Sequence, residues 1–132
     1  MELDHVGIFV RDLEAAKRFA SETLGLELER EGPQPALGLN TAFFRAGPAL
    51  IEFIEHQDAD TGEEKRAGAV AKLDHLALRV DDLQAAHDKL AADGGAFDQA
   101  DEPIRLGPND NYFSKAESTH GIRLQLMHPA ED

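Results

Sequence analysis

The segment LDHVGIFVRDLEAA (Leu3–Ala16) returns as LDHLALRVDDLQAA (Leu73–Ala86), at an offset of 70 residues. Eight of the fourteen aligned positions are identical. Agreement at this level over an ungapped window is improbable by chance, so the sequence predicts two copies of one supersecondary unit of about 65 residues. We therefore predict a single domain (1–132) made of a first unit (1–56), a connector (57–72) and a second unit (73–132).

Each repeat begins with a predicted strand and helix. Apolar residues alternate with other residues along 6–10 and 76–80, which is typical of a strand with one face on a core. Asp12 and Asp82 follow as N-cap residues before apolar side chains at helical spacing, and a glycine ends each helix.

Three further strands are predicted in each copy, from apolar runs bounded by turn residues. They are Leu26–Arg30, Thr41–Ala46 and Leu50–His56, then Ala96–Gln99, Tyr112–Lys115 and Ile122–His128. Segments rich in Gly, Pro and Asn, Arg30–Asn40 and Arg105–Asn111, are predicted as loops. The pattern predicts an α+β fold of two tandem βαβββ units, joined by a polar connector with room for a short helix.

Composition limits the function classes. The chain has 26 acidic residues against 13 Lys and Arg, so its net charge is −13 with no basic cluster, which disfavours nucleic acid or a membrane surface as a partner. Its apolar runs are short and its N-terminus lacks the positive charge of a signal peptide, so we expect a cytoplasmic protein. Because there is no Cys, any metal must be held by imidazole, carboxylate or amide groups.

Strand alternation places four polar residues on the face opposite the helices. His5 and His75 occupy equivalent positions in the first strands, and Glu52 and Gln125 do so in the last strands. The residue two positions after each histidine is small, which leaves room for a ligand. The sequence therefore predicts a concave pocket lined by these four side chains.

Paired βαβββ units that open with Leu-Asp-His and close with a strand carrying Glu or Gln resemble the vicinal oxygen chelate superfamily. This superfamily includes glyoxalase I, methylmalonyl-CoA epimerase, extradiol dioxygenases and the fosfomycin and bleomycin resistance proteins. The resemblance spans essentially the whole chain and implies one cupped mixed sheet around a metal site. By position, it implies that His5, Glu52, His75 and Gln125 ligate one divalent ion, with Zn, Ni, Co or Mn preferred over Fe.

Within the superfamily, the opening LDHVGI and the segment STHGIRLQL (Ser118–Leu126) resemble methylmalonyl-CoA epimerases, with glyoxalase I as the nearby rival. Both kinds of enzyme move a proton beside a carbonyl through an enediolate chelated by the metal. The resemblance thus implies a metal-dependent isomerase or lyase for an α-carbonyl or thioester substrate, either methylmalonyl-CoA epimerase-like or lactoylglutathione lyase-like. A small-molecule substrate and a homodimer are the expected partners.

The chain departs from the epimerase pattern at the base. Such epimerases have Glu where this chain has Gln125, and a second Glu that falls here around Pro35 or Ala36. An amide does not act as a base at neutral pH. The epimerase pattern pairs His with Gln in the first unit and His with Glu in the second, whereas this chain pairs His5 with Glu52 and His75 with Gln125. Because the same set is exchanged between the units, we expect Glu52 to be the catalytic base and Gln125 a spectator ligand.

Arg79 and Arg123 fall on the same predicted face and are candidates for binding a substrate anion, although an Arg on a strand also commonly pairs with a nearby carboxylate. His56, His87 and His128 are interpreted as surface residues. We expect about half of five aromatic residues to line the pocket and the others to lie in the core: Phe9, Phe43, Phe44, Tyr112 and Phe113.

Two other functions fit the sequence. One is a resistance-type protein that binds a small molecule without catalysis. The metal-competent groups at all four positions argue against this function. The other is an Fe(II) ring-cleaving dioxygenase, since His5, His75 and Glu52 formally satisfy a two-His, one-carboxylate triad. The extradiol pattern, however, resembles one with Glu on the final strand, where this chain has Gln125.

Overall fold

The computed structural model describes residues 1–131, and this part of the chain forms eight strands and three α-helices. The strands are β1 (Glu2–Val10), β2 (Glu27–Gln34), β3 (Leu39–Ala46), β4 (Ala49–His56), β5 (Ala71–Arg79), β6 (Ile104–Leu106), β7 (Asn109–Phe113) and β8 (Leu124–Pro129). The helices are α1 (Leu13–Arg18), which continues as a π-helical turn (Phe19–Thr23), α2 (Ala59–Lys65) and α3 (Leu83–Ala92). The predicted α+β class is confirmed. None of these helices is long and apolar enough to span a bilayer.

The chain divides into two compact units, whose boundaries lie inside β1 and β5. The N-terminal unit is His5–Asp74, and the C-terminal unit runs from His75 onward and includes Met1–Asp4. Arg79 of this unit contacts these first residues, since it pairs with Glu2 at 3.2 Å and with Asp4 at 3.3 Å. A single domain over 1–132 stays a prediction.

In the N-terminal unit the strand order is β2-β3-β4-β1, with β1 parallel to β4 and the other pairs antiparallel. The Asp12 side chain caps α1 by accepting a hydrogen bond from the Ala15 N–H at 3.1 Å. Helix α1 covers one face of the strands. Apolar residues recur about every 3.6 residues in the helix and every 2 residues in the strands, so the apolar faces of both meet there. This core contains Val10, Leu13, Ala20, Ala42, Phe44 and Phe53.

The C-terminal unit repeats this arrangement as β5-β8-β7-β6, with β5 parallel to β8. Asp82 caps α3 through the Ala85 N–H at 3.0 Å. Here the core is aromatic: the His87 ring lies 4.4 Å from that of Phe97 and 4.3 Å from that of Tyr112. The interpretation of His87 as a plain surface residue is therefore wrong, because its ring packs against two aromatic rings that also contact each other, with centroids 5.5 Å apart.

Three predicted boundaries are wrong. Strand β2 continues through Gln34, where a loop was expected, and Ala96–Gln99 forms only an isolated bridge, between Phe97 and Ser114. Arg105–Asn111, also expected to be a loop, instead belongs to the hairpin of β6 and β7. Residues with low β propensity are held extended here because β7 pairs with β8. Within the hairpin, the Asn111 amide donates to the Ile104 and Asn109 carbonyls at 3.3 and 3.1 Å.

The connector contains the short helix for which the sequence left room. Asp58 caps α2 through the Thr61 N–H at 3.2 Å. The Arg66 side chain beyond the helix is buried, and donates to the Ala69 carbonyl at 2.7 Å and the Glu63 carboxylate at 2.5 Å. These bonds anchor the connector inside the N-terminal unit.

Candidate metal centre

The N-terminal unit brings one imidazole and one carboxylate together. His5 lies on β1 and Glu52 on β4, where the parallel register sets Gly7 opposite Glu52. The His5 Nε2 and Glu52 Oε1 atoms are 3.3 Å apart, and the two side chains are only 5% and 7% exposed. A buried carboxylate is costly without a partner, so this pair is a place where a cation is favoured.

An aromatic wall stands beside this pair. Phe43, the β3 neighbour of Glu52, meets the His5 ring edge to face, with centroids 5.3 Å apart. The Arg30 guanidinium lies over the Phe43 ring, with its carbon 4.0 Å from the ring centroid. Paired positions on neighbouring strands share a face, so Arg30, Phe43 and Glu52 form one row across three strands.

The C-terminal unit carries the equivalent pair with an amide in place of the carboxylate. His75 on β5 and Gln125 on β8 are both 6% exposed, and Ala77 is the register partner of Gln125. The His75 ring faces Phe113 edge-on at 6.1 Å, and Phe113 pairs with Gln125. Each unit thus repeats the order of small residue, polar residue and phenylalanine along one row.

Asn111 fixes which end of the Gln125 amide is available. The Gln125 Nε2 donates to the Asn111 Oδ1 at 2.8 Å. Asn111 is itself oriented, because its own nitrogen donates to the Ile104 and Asn109 carbonyls. This chain of hydrogen bonds leaves the Gln125 Oε1 as the atom that can ligate a metal.

The two arginines expected to bind substrate are held by protein groups. Arg79 is exposed and pairs with Glu2 and Asp4. Arg123 donates to the Asp98 carboxylate at 2.8 Å and to the Ser114 carbonyl at 3.2 Å, with its carbon 5.2 Å from the Phe113 centroid. Their contact with substrate stays a prediction.

The predicted division of the aromatic residues between wall and core is resolved residue by residue. Phe43 and Phe113 stand beside the histidines, whereas Phe44 and Tyr112 are each 1% exposed. Phe44 lies in the core of the N-terminal unit, and Tyr112 packs on His87 beneath α3. Phe9 meets the His56 ring at 4.7 Å.

The strand-end histidines are half-buried, contrary to their interpretation as surface residues. His128 Nδ1 lies 2.8 Å from the Val80 carbonyl oxygen. Nδ1 of His56 is buried and has no hydrogen-bond partner within residues 1–131. Burial, and then the nearby cations Lys65 and Arg66, lower the pKa of His56.

Sequence reasoning missed Arg30 and Asn111. Arg30 carried no signal, because it follows an irregularity in β2 that shifts the register between Leu28 and Arg30. The sequence pattern predicts a loop at Asn111, so it does not predict that Asn111 lies beside Gln125 of the neighbouring strand.

Comparison with known proteins gives consistent relatives. The family model of the glyoxalase/bleomycin resistance protein/dioxygenase superfamily matches residues 2–126. The uncharacterized protein YwbC of Bacillus subtilis is 32% identical over 128 residues, which cover 95% of each chain. Lactoylglutathione lyase of Escherichia coli O157:H7 is 28% identical over 127 residues, covering 96% of this chain and 92% of that one.

A solved structure agrees with these matches. The methylmalonyl-CoA epimerase of Mycobacterium tuberculosis superposes with a TM-score of 0.86 at 25% identity, over 98% of this chain and 89% of that one. The family match covers nearly the whole chain, including both strand–helix repeats and all four residues proposed from the sequence as metal ligands. The chain therefore belongs to the glyoxalase/bleomycin resistance protein/dioxygenase superfamily.

Proposed function

We propose that this protein is a metal-dependent isomerase or lyase that moves a proton at a carbon next to a carbonyl or thioester group. The observation that carries this proposal is the buried contact between His5 and Glu52, 3.3 Å long. Relatives named lactoylglutathione lyase and methylmalonyl-CoA epimerase support the reaction class. We further propose a small-molecule substrate and a homodimer. Analytical ultracentrifugation would measure the mass of the homodimer.

We propose one divalent ion as the cofactor, on the donor chemistry of the four residues. His5, Glu52 and His75 are buried groups that could each offer one ligand atom to a metal. Gln125 would add the amide oxygen that Asn111 leaves available. Two imidazoles, one carboxylate and one amide suit Zn, Ni, Co or Mn, and leave positions for substrate oxygens. Such an ion supplies Lewis acidity that stabilises negative charge on those oxygens.

Glu52 is the proposed catalytic base. Its carboxylate is the group in the donor set that can take a proton from carbon and return it, because the amide of Gln125 has no such capacity. The His5 Nε2 contact holds the carboxylate in place, and the wall formed by Phe43 restricts water on one side. Small Gly7, in register with Glu52, leaves space for the reacting carbon.

Metal analysis of the purified protein, followed by hydrogen–deuterium exchange at the α-carbon, tests the proposal. Methylmalonyl-CoA and the hemithioacetal of methylglyoxal and glutathione are the two substrates to try. We expect one divalent ion per chain and exchange with one of them. Glu52→Gln should lower turnover about 1,000-fold while the metal is retained, whereas Glu64→Gln on the exposed side of α2 should leave both unchanged.

Three outcomes would overturn the proposal. Unchanged turnover in Glu52→Gln removes the assigned base. A metal-free protein without exchange activity favours a resistance-type binding protein. Iron together with substrate-dependent oxygen consumption favours the dioxygenase alternative, which the triad of His5, His75 and Glu52 formally allows.

A further inference from the structure

Among the residues that the structure describes, Arg30 has no carboxylate partner, unlike most arginines of the chain. Six of the eight arginines form ion pairs: Arg11, Arg45, Arg66, Arg79, Arg105 and Arg123. Within residues 1–131, Arg30 instead has the Phe43 ring as its neighbour, 4.0 Å from the guanidinium carbon to the ring centroid. Because the chain carries 26 acidic residues, an unpaired arginine is unusual here.

The carboxylates beside Arg30 in the sequence are already used. Glu29 pairs with Arg45, and Glu31 pairs with Lys17 at 2.9 Å. An arginine stacked on an aromatic ring keeps the N–H groups at its edge free to bind a planar anion in two places at once. The cation is therefore positioned without being neutralised by the protein.

A β-bulge directs Arg30 to this place. The register of β2 and β3 pairs Leu28 with Phe44 and then Arg30 with Phe43, so Glu29 is an extra residue in β2. Without the bulge, strand alternation would set Glu29 opposite Phe43 and turn Arg30 to the other face. Bulges commonly re-aim a side chain next to an active site.

We infer that Arg30 binds a carboxylate group of the substrate on the face that carries His5 and Glu52. The inference rests on the proposed function and extends it to a substrate class, namely α-carbonyl or thioester compounds with a further carboxylate. In the row Arg30–Phe43–Glu52, the first and last backbones are two strand spacings apart, about 10 Å. A side chain as long as arginine spans much of that distance, so the anion lies within a few bonds of the carbon that Glu52 deprotonates.

Calorimetric titration with malonate tests the inference independently of turnover. Wild type, Arg30→Gln, Arg30→Lys and Arg18→Gln are compared at matched metal content and ionic strength. Arg18→Gln is the matched control, because it removes the same charge from an exposed arginine of α1. We expect Arg30→Gln to weaken malonate binding about 10-fold to 100-fold, Arg30→Lys to weaken it less, and Arg18→Gln to leave it unchanged.

Activity provides the second measurement. In Arg30→Gln we expect KM to rise by about 10-fold or more, while kcat and metal affinity stay near the wild-type values. Equal malonate binding in Arg30→Gln and Arg18→Gln would overturn the inference, as would selective binding of inorganic phosphate over malonate. These failures differ from failure of the proposed function, which would appear as loss of metal binding or of exchange in the wild type.

Discussion

The two halves of the chain have the same row of positions but different chemistry in it. In the N-terminal unit the last strand supplies a carboxylate, Glu52, which contacts the imidazole of His5. In the C-terminal unit it supplies an amide, Gln125, which is hydrogen-bonded to Asn111. The two halves thus share one backbone arrangement, but the N-terminal unit carries a group that can accept a proton and the C-terminal unit carries an amide that cannot.

The arginines of the two halves repeat this contrast. Arg30 and Arg123 both lie over the phenylalanine that stands beside the histidine of their unit. Arg123 is bound by Asp98, whereas no carboxylate within residues 1–131 pairs with Arg30. The proposed base and the proposed anion-binding group thus occur in the same half, and the other half resembles a supporting copy.

Exchanging the two polar groups should give the largest effect. The double variant Glu52→Gln with Gln125→Glu keeps two imidazoles, one carboxylate and one amide, so we expect the metal to be retained. Its affinity should fall about 10-fold, because a carboxylate at position 125 cannot donate to the Asn111 Oδ1. Turnover should stay about 1,000-fold below wild type, because the reacting carbon is proposed to lie beside Gly7 in the N-terminal unit, where an amide then replaces the base. Steady-state kinetics at saturating metal measures this.

The single variant Gln125→Glu is the control for the exchange, since it adds a carboxylate without removing one. Recovery of wild-type turnover in the double variant would show that the two halves are interchangeable. The functional distinction drawn between them would then be incorrect.

Asn111→Ala should give an intermediate effect. Asn111 is 1% exposed and orients the Gln125 amide through a 2.8 Å hydrogen bond. Losing a partner of this kind typically weakens metal binding by about 10-fold. Titration with Zn²⁺ should show this loss, together with a smaller change in thermal stability.

Asn109→Ala offers a comparison on the same strand, because Asn109 contributes only its backbone carbonyl to Asn111. Its metal affinity should match that of the wild type. If Asn111→Ala also binds metal normally, the Gln125 amide does not need to be held, and its role as a ligand is in doubt.

The strand-end histidines should give the smallest effect. The lowered pKa of His56, caused first by burial and then by Lys65 and Arg66, means that the unfolded chain binds a proton more readily than the folded one. The folded state therefore loses stability as pH falls from the ordinary value of about 6.5 through the lowered pKa, and keeps it above 6.5. His56→Phe, which can retain the ring contact with Phe9, should lose less thermal stability over this acidic range than wild type.

His128→Phe is the matched control, because it removes a strand-end histidine whose Nδ1 lies 2.8 Å from a backbone carbonyl oxygen. The difference between variants is the measured quantity, since proton-driven loss of metal is common to all of them. An identical acid sensitivity in wild type and His56→Phe would exclude His56 as its source.

Much of the fold and part of the candidate site could be predicted from the repeat. The spacing of 70 residues identified both strand–helix pairs, and period-two alternation separated His5 and Glu52 from the apolar core. The hairpin of β6 and β7 was missed because its Asn and Asp residues are read as loop formers, and only contacts between strands hold them extended.

By itself the sequence determined which side chains share a face, because alternation along a strand is a local property of the backbone. It also showed that the carboxylate of the duplicated pair is Glu52 and not its counterpart. Tertiary structure alone decided that a bulge turns Arg30 toward Phe43, and that Asp98 pairs with Arg123. Register and ion pairing depend on which strands meet, and that information lies in long-range packing, not in local sequence periodicity.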